Sequence, residues 1–220
     1  MFLPLSHPIL YSFRRCPYAM RARMGLYASN KSVLIREVDL KNKPGHMLSI
    51  SPKATVPVLY LDEHNVIDES LDIIYWALKQ NDPLGYLDID MNEFKNLIEL
   101  NDGSFKSALD RYKYPSRYPD EDCSGARDIC ESFFEKLDTL VKKHDGNLLK
   151  SECSIADISI FPFIRQCAHV DKDWFQSLPF AALQQWLNKN LESDQFKAIM
   201  KKYKAWEDQD PEIFFGLEYA

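Results

Sequence analysis

The sequence predicts a two-domain α+β chain: a mixed strand-and-helix domain over residues 1–81, a linker over 82–91 and an all-α domain over 92–220. Three observations carry that division. Short apolar runs of strand character alternate with helix-forming stretches in the first part. Turn formers then collect at Gln80-Asn81-Asp82-Pro83-Leu84-Gly85. Beyond them, apolar residues recur only at helical spacing.

The elements follow in order. Pro8–Phe13 is a short apolar run and reads as a first strand. Proline is favoured at the first helical position, where its missing N–H is not needed, so Pro17 opens a helix over 17–29. A second strand follows over 33–38, then a short helix near 45–50. Strands over 58–61 and 65–67 flank the turn formers Asp62-Glu63-His64-Asn65 and read as a hairpin. Leu71, Ile74, Tyr75 and Leu78 mark one face of a helix over 69–79. This β-α-β-α-β-β-α order is the thioredoxin arrangement. In the second domain, Phe94, Leu97, Ile98, Phe105, Ala108 and Leu109 continue one helical pattern through Asn101-Asp102-Gly103. Ile129, Cys130, Phe133, Phe134, Leu137, Leu140 and Val141 form another, and Phe180, Leu183, Trp186 and Leu187 a third. No strand pattern is read there.

Composition narrows the function classes. The net charge of −6 argues against nucleic acid as the main partner. No apolar run is long enough to span a membrane. The N-terminal Met1–Pro8 lacks the basic-then-apolar pattern of a secretory signal, so a cytoplasmic protein is expected. Cys16, Cys123, Cys130, Cys153 and Cys167 are odd in number and have no metal-ligand spacing, which fits reduced thiols and no metal.

The chemistry concentrates at Arg14-Arg15-Cys16-Pro17-Tyr18-Ala19. With Pro17 at the first helical position, Cys16 is the helix N-cap, and the unpaired amides and dipole of the helix point at its sulfur. Helix N-termini and nearby cations lower a thiol pKa from about 8.5 to roughly 3.5–7.5; Arg14 and Arg15 are candidate cations. The spacing is that of a Cys-x-x-Cys redox motif whose second cysteine is replaced by Ala19, so no neighbouring thiol can release a bound product. The alternative is a buried, inert cysteine. Two further features fit the same site. Pro57 in Thr55-Val56-Pro57-Val58-Leu59 enters a strand; a cis Val56-Pro57 bond would turn the Val56 backbone outward toward an extended ligand, and a trans bond would make it an ordinary strand start. Asp68-Glu69-Ser70 precedes a helix whose first amides, with Ser70, suit an anion, while Glu69 suits an ammonium; a plain helix cap is the alternative. Together they describe the α-amino acid end of a ligand.

Cys16-Pro17-Tyr18-Ala19, Leu40-Lys41-Asn42-Lys43-Pro44, Val56-Pro57-Val58-Leu59 and Glu69-Ser70, in this order and spacing, resemble the N-terminal half of a glutathione transferase. The cysteine and the Lys-Asn-Lys-Pro run point to the omega class and its bacterial omega-like relatives. The resemblance is close over residues 8–80 and looser beyond. It implies that Cys16 is the catalytic residue and forms a mixed disulfide with glutathione, the co-substrate. It also implies that Pro17, Tyr18, Lys43, Val56, Pro57, Glu69 and Ser70 line the glutathione site. Lys43 would reach the glycine carboxylate, Val56 would pair its backbone with the cysteinyl part, and Glu69 and Ser70 would hold the γ-glutamyl end. Few residues precede the first strand, where omega proteins often carry more. The implied activity is thiol transfer to disulfides, glutathionylated thiols or dehydroascorbate. Conjugation of glutathione to electrophiles is the alternative and needs a hydroxyl, for which Tyr11, Ser12 and Tyr18 are nearby. A non-catalytic binding protein of the same fold is the other. Family members usually pair as symmetric homodimers.

The helical domain carries two motifs. Ser154-Ile155-Ala156-Asp157 matches a reciprocal helix cap, with Asp157 a folding determinant rather than a catalytic acid, and Pro162 is expected to kink the helix that follows. Arg111-Tyr112-Lys113-Tyr114-Pro115-Ser116-Arg117-Tyr118 interleaves tyrosines with cations. It reads as a helix end whose rings cover the core, as a base-stacking surface, or, by the resemblance, as a wall of the second-substrate pocket. Tyr112, Tyr114 and Trp174 are the candidates for that wall.

Overall fold

A computed structural model describes residues 7–216. The N-terminal residues 1–6, on which the absence of a secretory signal was read, lie outside the described residues. The chain forms two compact units: residues up to Leu84 together with those from Ser193 on, and Gly85–Glu192.

The first unit is a thioredoxin-like sheet with helices. Its elements are β1 (Ile9–Ser12), α1 (Pro17–Ala28), β2 (Val33–Glu37), α2 (Gly45–Ile50), β3 (Val58–Asp62), β4 (Asn65–Ile67) and α3 (Ser70–Gln80). Helix α10 (Asp194–Ile199) and strand β5 (Phe214–Phe215) complete it. The sheet order is β4-β3-β1-β2-β5. β1 and β2 are parallel, with Leu10 opposite Ile35, while β3 runs antiparallel to β1, with Leu10 opposite Leu59. Strand β5 corrects the expectation that no strand follows the linker: Phe215 pairs with Val33 and Phe214 with Leu34. Two residues are too few to show a period-two pattern in the sequence. The segment from Ser193 on therefore belongs with the sheet, not with the helical unit in which the 92–220 boundary placed it.

Helix α1 is buried on nearly every side, since Ala19, Met20, Ala22, Met24 and Leu26 have no exposed surface. Arg21 and Arg23, on the same helix, are equally covered. At Gly25 a Cβ would lie 2.6 Å from Ile74 Cγ1 and 3.0 Å from Ile74 Cα, so α1 and α3 are in direct backbone contact there. Tyr11, Val38, Met47, Val56 and Val58 pack in one cluster, with Cys16 and Phe13 at its rim.

The second unit contains α4 (Met91–Leu100), α5 (Lys106–Lys113), α6 (Ala126–Lys143), α7 (Ile155–Ala168), α8 (Lys172–Ser177) and α9 (Ala181–Glu192). A π-helical turn over Asn101–Phe105 joins α4 to α5, so the pattern read through Asn101-Asp102-Gly103 is continuous helix with one wider turn. Helix α7 runs through Pro162 unbroken. No helix among the described residues is long and apolar enough to cross a membrane.

The cap of α7 is present and extends further than the local sequence indicates. Ser154 accepts from the Ala156 amide, and the buried Asp157 accepts from the Ser154 amide at 2.9 Å and its hydroxyl at 2.8 Å. The other Asp157 oxygen accepts from the Leu148 amide at 3.0 Å and from Trp186 Nε1 at 2.8 Å. One carboxylate thus joins the cap to the preceding loop and to α9. Asp157→Ala leaves those donors without an acceptor, at a cost of about 1–3 kcal/mol for each buried donor. The urea midpoint of the helical unit should drop accordingly; a variant that unfolds at the parent's midpoint would remove Asp157 as a folding determinant.

Candidate functional site

Cys16 sits where β1 hands over to α1. Its backbone is extended (φ −71°, ψ 126°) and it is the N-cap of α1 with Pro17 at the first turn. The Cys16 amide closes a turn by donating to the Phe13 carbonyl at 3.0 Å, and the Cys16 carbonyl accepts the Met20 amide at 2.8 Å, the first bond of the helix. The thiol is half-buried and lies 3.7 Å from the Val56 carbonyl oxygen. The Val56-Pro57 peptide bond is cis. The sheet therefore brings Cys16, Val56 and Pro57 together from segments forty residues apart.

The candidates at α3 lie on a second cluster. Glu69 is the N-cap of α3 and Ser70 its first residue. Ser70 is buried, and its hydroxyl accepts from Arg21 Nη1 of α1 at 3.4 Å. The exposed Glu69 carboxylate is paired with Lys53, whose ammonium also lies 3.8 Å from Asp68 Oδ1. Both partners are largely solvated, so this pair contributes little to stability. The hydrogen bond to Glu69 is the chief reason the Lys53 pKa is raised. Asp68 is anchored in turn by the Ser51 hydroxyl at 2.7 Å. Lys43 is half-buried just before α2, whose N-cap is Pro44, and Tyr18 is half-buried under the Arg21 guanidinium, 5.6 Å from its ring centroid.

Two of the three hydroxyls near Cys16, those of Ser12 and Tyr11, are engaged by other side chains. Ser12 is buried and accepts from Arg23 Nη1. The Tyr11 hydroxyl is buried between Arg36 Nη1 at 2.7 Å and His46 Nδ1 at 2.7 Å, and burial raises its pKa. Arg36 stacks on Trp206 at 3.9 Å, so the tail of the chain closes over this group.

In the helical unit, Tyr112 and Trp174 meet edge to face at 5.2 Å, and the Arg127 guanidinium lies over both rings, 4.9 and 4.8 Å from their centroids. Arg127 also bonds the Tyr112 hydroxyl at 3.0 Å and pairs with Asp171 at 2.8 Å. Tyr114 is separate from this group: Arg117 covers its ring at 4.1 Å, while Arg111 covers Tyr118 at 5.0 Å. The interleaved cations thus lie on their own tyrosines.

Four residues around the site escaped the sequence reading: Arg21, Arg23, Glu37 and Lys53. The only sequence signal for Arg23 is its spacing seven residues after Cys16, which puts both on one face of α1.

The family model described as "Glutathione S-transferase, N-terminal domain" matches residues 10–87. The chain is 28% identical over 205 residues to glutathione S-transferase omega-1 of Sus scrofa, a match covering 89% of this chain and 77% of that protein. It is 34% identical over 70 residues to a probable glutathione transferase of Aplysia californica, covering 32% of this chain and 76% of that one. Among solved structures, glutathione transferase Omega 1C from Trametes versicolor is similar in fold, with a TM-score of 0.72 at 20% identity over 89% of this chain and 91% of that chain.

The cysteines should separate by reactivity. Burial pushes the Cys153 thiol up to about 12. The hydrogen bond with Cys130, together with burial, raises Cys167. Cys16 is the N-cap of α1, its thiol makes no capping bond to the helix amides, and it is partly open to solvent. Iodoacetamide should label Cys16 near or below neutral pH while Cys153 and Cys167 stay unlabelled; a Cys16 midpoint at the free-thiol value of about 8.5 would contradict activation by the helix N-terminus.

Proposed function

This chain belongs to the glutathione transferase family, and from that premise we propose that it is a glutathione-dependent thiol transferase of the omega-like, cysteine type. The observation that carries the proposal is the half-buried Cys16 thiol at the N-cap of α1, beside the Val56 carbonyl. The commitment of the Tyr11 and Ser12 hydroxyls to Arg36, His46 and Arg23 favours it over conjugation, which needs a group, usually a Ser or Tyr hydroxyl, to stabilise the glutathione thiolate and would leave Tyr18 as the candidate.

The reaction has two exchanges. The Cys16 thiolate attacks the glutathione sulfur of a glutathionylated thiol. The old S–S bond breaks, the released thiolate takes a proton from solvent, and a Cys16–glutathione mixed disulfide remains. The thiolate of a second glutathione then attacks the glutathione sulfur of that mixed disulfide. Cys16 leaves as a thiolate at the N-terminus of α1, and glutathione disulfide is the product. The external thiol is required because Ala19 replaces a resolving cysteine.

In this reading the tripeptide lies along the sheet unit. Lys43 takes the glycine carboxylate, the Val56 backbone pairs with the cysteinyl part beside Pro57, and Pro17 and Tyr18 flank the sulfur. Ser70 and the α3 amides take the γ-glutamyl carboxylate. Glu69 takes the ammonium, which displaces Lys53, so one cation replaces another at that carboxylate. Tyr112, Tyr114 and Trp174 are proposed to contact the second substrate on the strength of the family resemblance alone.

Ser70→Ala should weaken glutathione binding by about 1.5–3 kcal/mol, the worth of a hydrogen bond to a charged group, or roughly tenfold or more in affinity by calorimetry. An unchanged affinity in Ser70→Ala and Glu69→Ala together would place the ligand elsewhere. Cys16→Ala should abolish reduction of a glutathione mixed disulfide and leave glutathione binding intact, since Pro17 and the helix amides remain. A variant that keeps its thiol transferase rate would overturn Cys16 as nucleophile, and a parent protein that conjugates an aryl halide fast but transfers no thiol would overturn the reaction type.

A further inference from the structure

Arg23 is a cation sealed in the first unit, 1% exposed, and every acceptor it reaches is neutral. Nη1 donates to the Ser12 hydroxyl and, at 3.4 Å, to the Phe13 carbonyl; Nη2 donates to the Arg14 carbonyl at 2.7 Å. Nε donates to the Ile199 carbonyl at the end of α10, at 3.0 Å. A buried charge is costly unless something compensates it. Three of these acceptors are the consecutive residues of the turn that ends at Cys16, and the Phe13 carbonyl is the one that also receives the Cys16 amide.

Helix geometry explains the meeting. Seven residues are close to two turns, so Cys16 and Arg23 share one face of α1, and helical side chains lean toward the N-terminus. The guanidinium is thereby carried back along the helix to the turn. The groups whose charge bears on it are Glu37 of β2, Cys16 itself, Tyr203 of the tail and Arg14 of the turn. Glu37 is tied to the same turn, accepting the Arg14 amide at 2.7 Å, while its own carbonyl accepts the Trp206 amide at 2.8 Å. Of the charged side chains of α3 and α10, Lys197 pairs with Asp194, Lys79 lies over the Tyr75 ring, and the Asp72 charge bears on Lys53 and Tyr75. Arg21, on another face of α1, reaches Ser70.

We propose that Arg23 is a positioning residue for the Cys16 nucleophile: its buried guanidinium fixes the turn from Ser12 to Arg14 that presents the thiol, and it is the counter-charge against which the thiolate forms, with Glu37 opposing it. The proposal rests on the reading of Cys16 as the nucleophile. In keeping with its electrostatic part, burial draws the Arg23 pKa down to about 10 while the charges of Glu37 and Cys16 hold it up. Coupling between two protonation sites is reciprocal, so the cation stabilises the thiolate as the thiolate stabilises the cation. A guanidinium suits both tasks, because its forked donors can serve several carbonyls while it stays charged.

The test is the rate of Cys16 alkylation by iodoacetamide against pH, followed by peptide mass spectrometry on the full-length reduced protein and on Arg23→Gln, Arg23→Lys and Glu37→Gln. A purely structural arginine would change stability and leave the midpoint where it is. On the proposal, Arg23→Gln moves the midpoint upward and slows labelling at about pH 6 by about tenfold, the effect of one pKa unit. Arg23→Lys restores most of the rate because the charge remains. Glu37→Gln keeps an acceptor for the Arg14 amide, removes the opposing charge and moves the midpoint downward. If Arg23→Gln does not fold, Glu37→Gln and Arg23→Lys carry the test by themselves. An unmoved midpoint in Glu37→Gln, or a Lys variant as slow as the Gln variant, overturns the proposal. Incubating the parent protein with oxidised glutathione separates the two readings: a Cys16 mixed disulfide with invariant midpoints rejects the role of Arg23 alone, whereas no mixed disulfide rejects the nucleophile.

Discussion

The burial of α1 is the constraint on which the rest of the first unit depends. A helix covered on nearly all sides must have its polar atoms met by whatever packs around it, and the packing here is arranged to do so. Arg21 reaches across to Ser70 at the start of α3, Arg23 reaches the thiol turn and the end of α10, and Gly25 lets the α1 backbone approach Ile74 of α3. Gln195 of α10 adds a bond to the Met24 carbonyl at 3.0 Å. The ends of α1 and α3 that carry Cys16 and Ser70 are therefore linked through one helix rather than through loops. A geometry held by packed helices is stiffer than one held by surface turns.

The order of elements in the sheet unit was legible because each carries its own local pattern. The position of Cys16 at a helix N-cap followed from Pro17 alone, and the α7 cap from Ser154 and Asp157. What stayed hidden was long-range. Arginines at 21 and 23 look like a solvated helix face, because nothing local tells a buried guanidinium from an exposed one. The pairing of Lys53 with Glu69 crosses a strand hairpin and has no sequence period. Periodicity also over-reads: Ile129 lies on the apolar row of α6 and is 48% exposed. Val56-Pro57 was legible as a strand entry but not as cis, since either isomer fits that sequence.

The helical unit shows the same economy of polar atoms around Asp157. Its carboxylate is buried, so every lone pair needs a donor, and the donors come from the cap itself, from Leu148 and from Trp186. A cap that could have been local becomes the point where a loop and two helices are joined. The cations of the Arg111–Tyr118 run behave differently. They stay near the surface and lie over aromatic faces, where solvent screens them.

The return of the chain to the sheet has a consequence for biosynthesis. Translation delivers β1 to α3 first, yet the edge strand β2 meets β5 only through Phe214 and Phe215, and Arg23 meets Ile199 only after the whole helical unit has emerged. Until then the growing chain holds an unpaired sheet edge and an arginine with one acceptor missing, the kind of surface that draws other chains or a chaperone. The sheet unit is thus begun before the helical unit and completed after it.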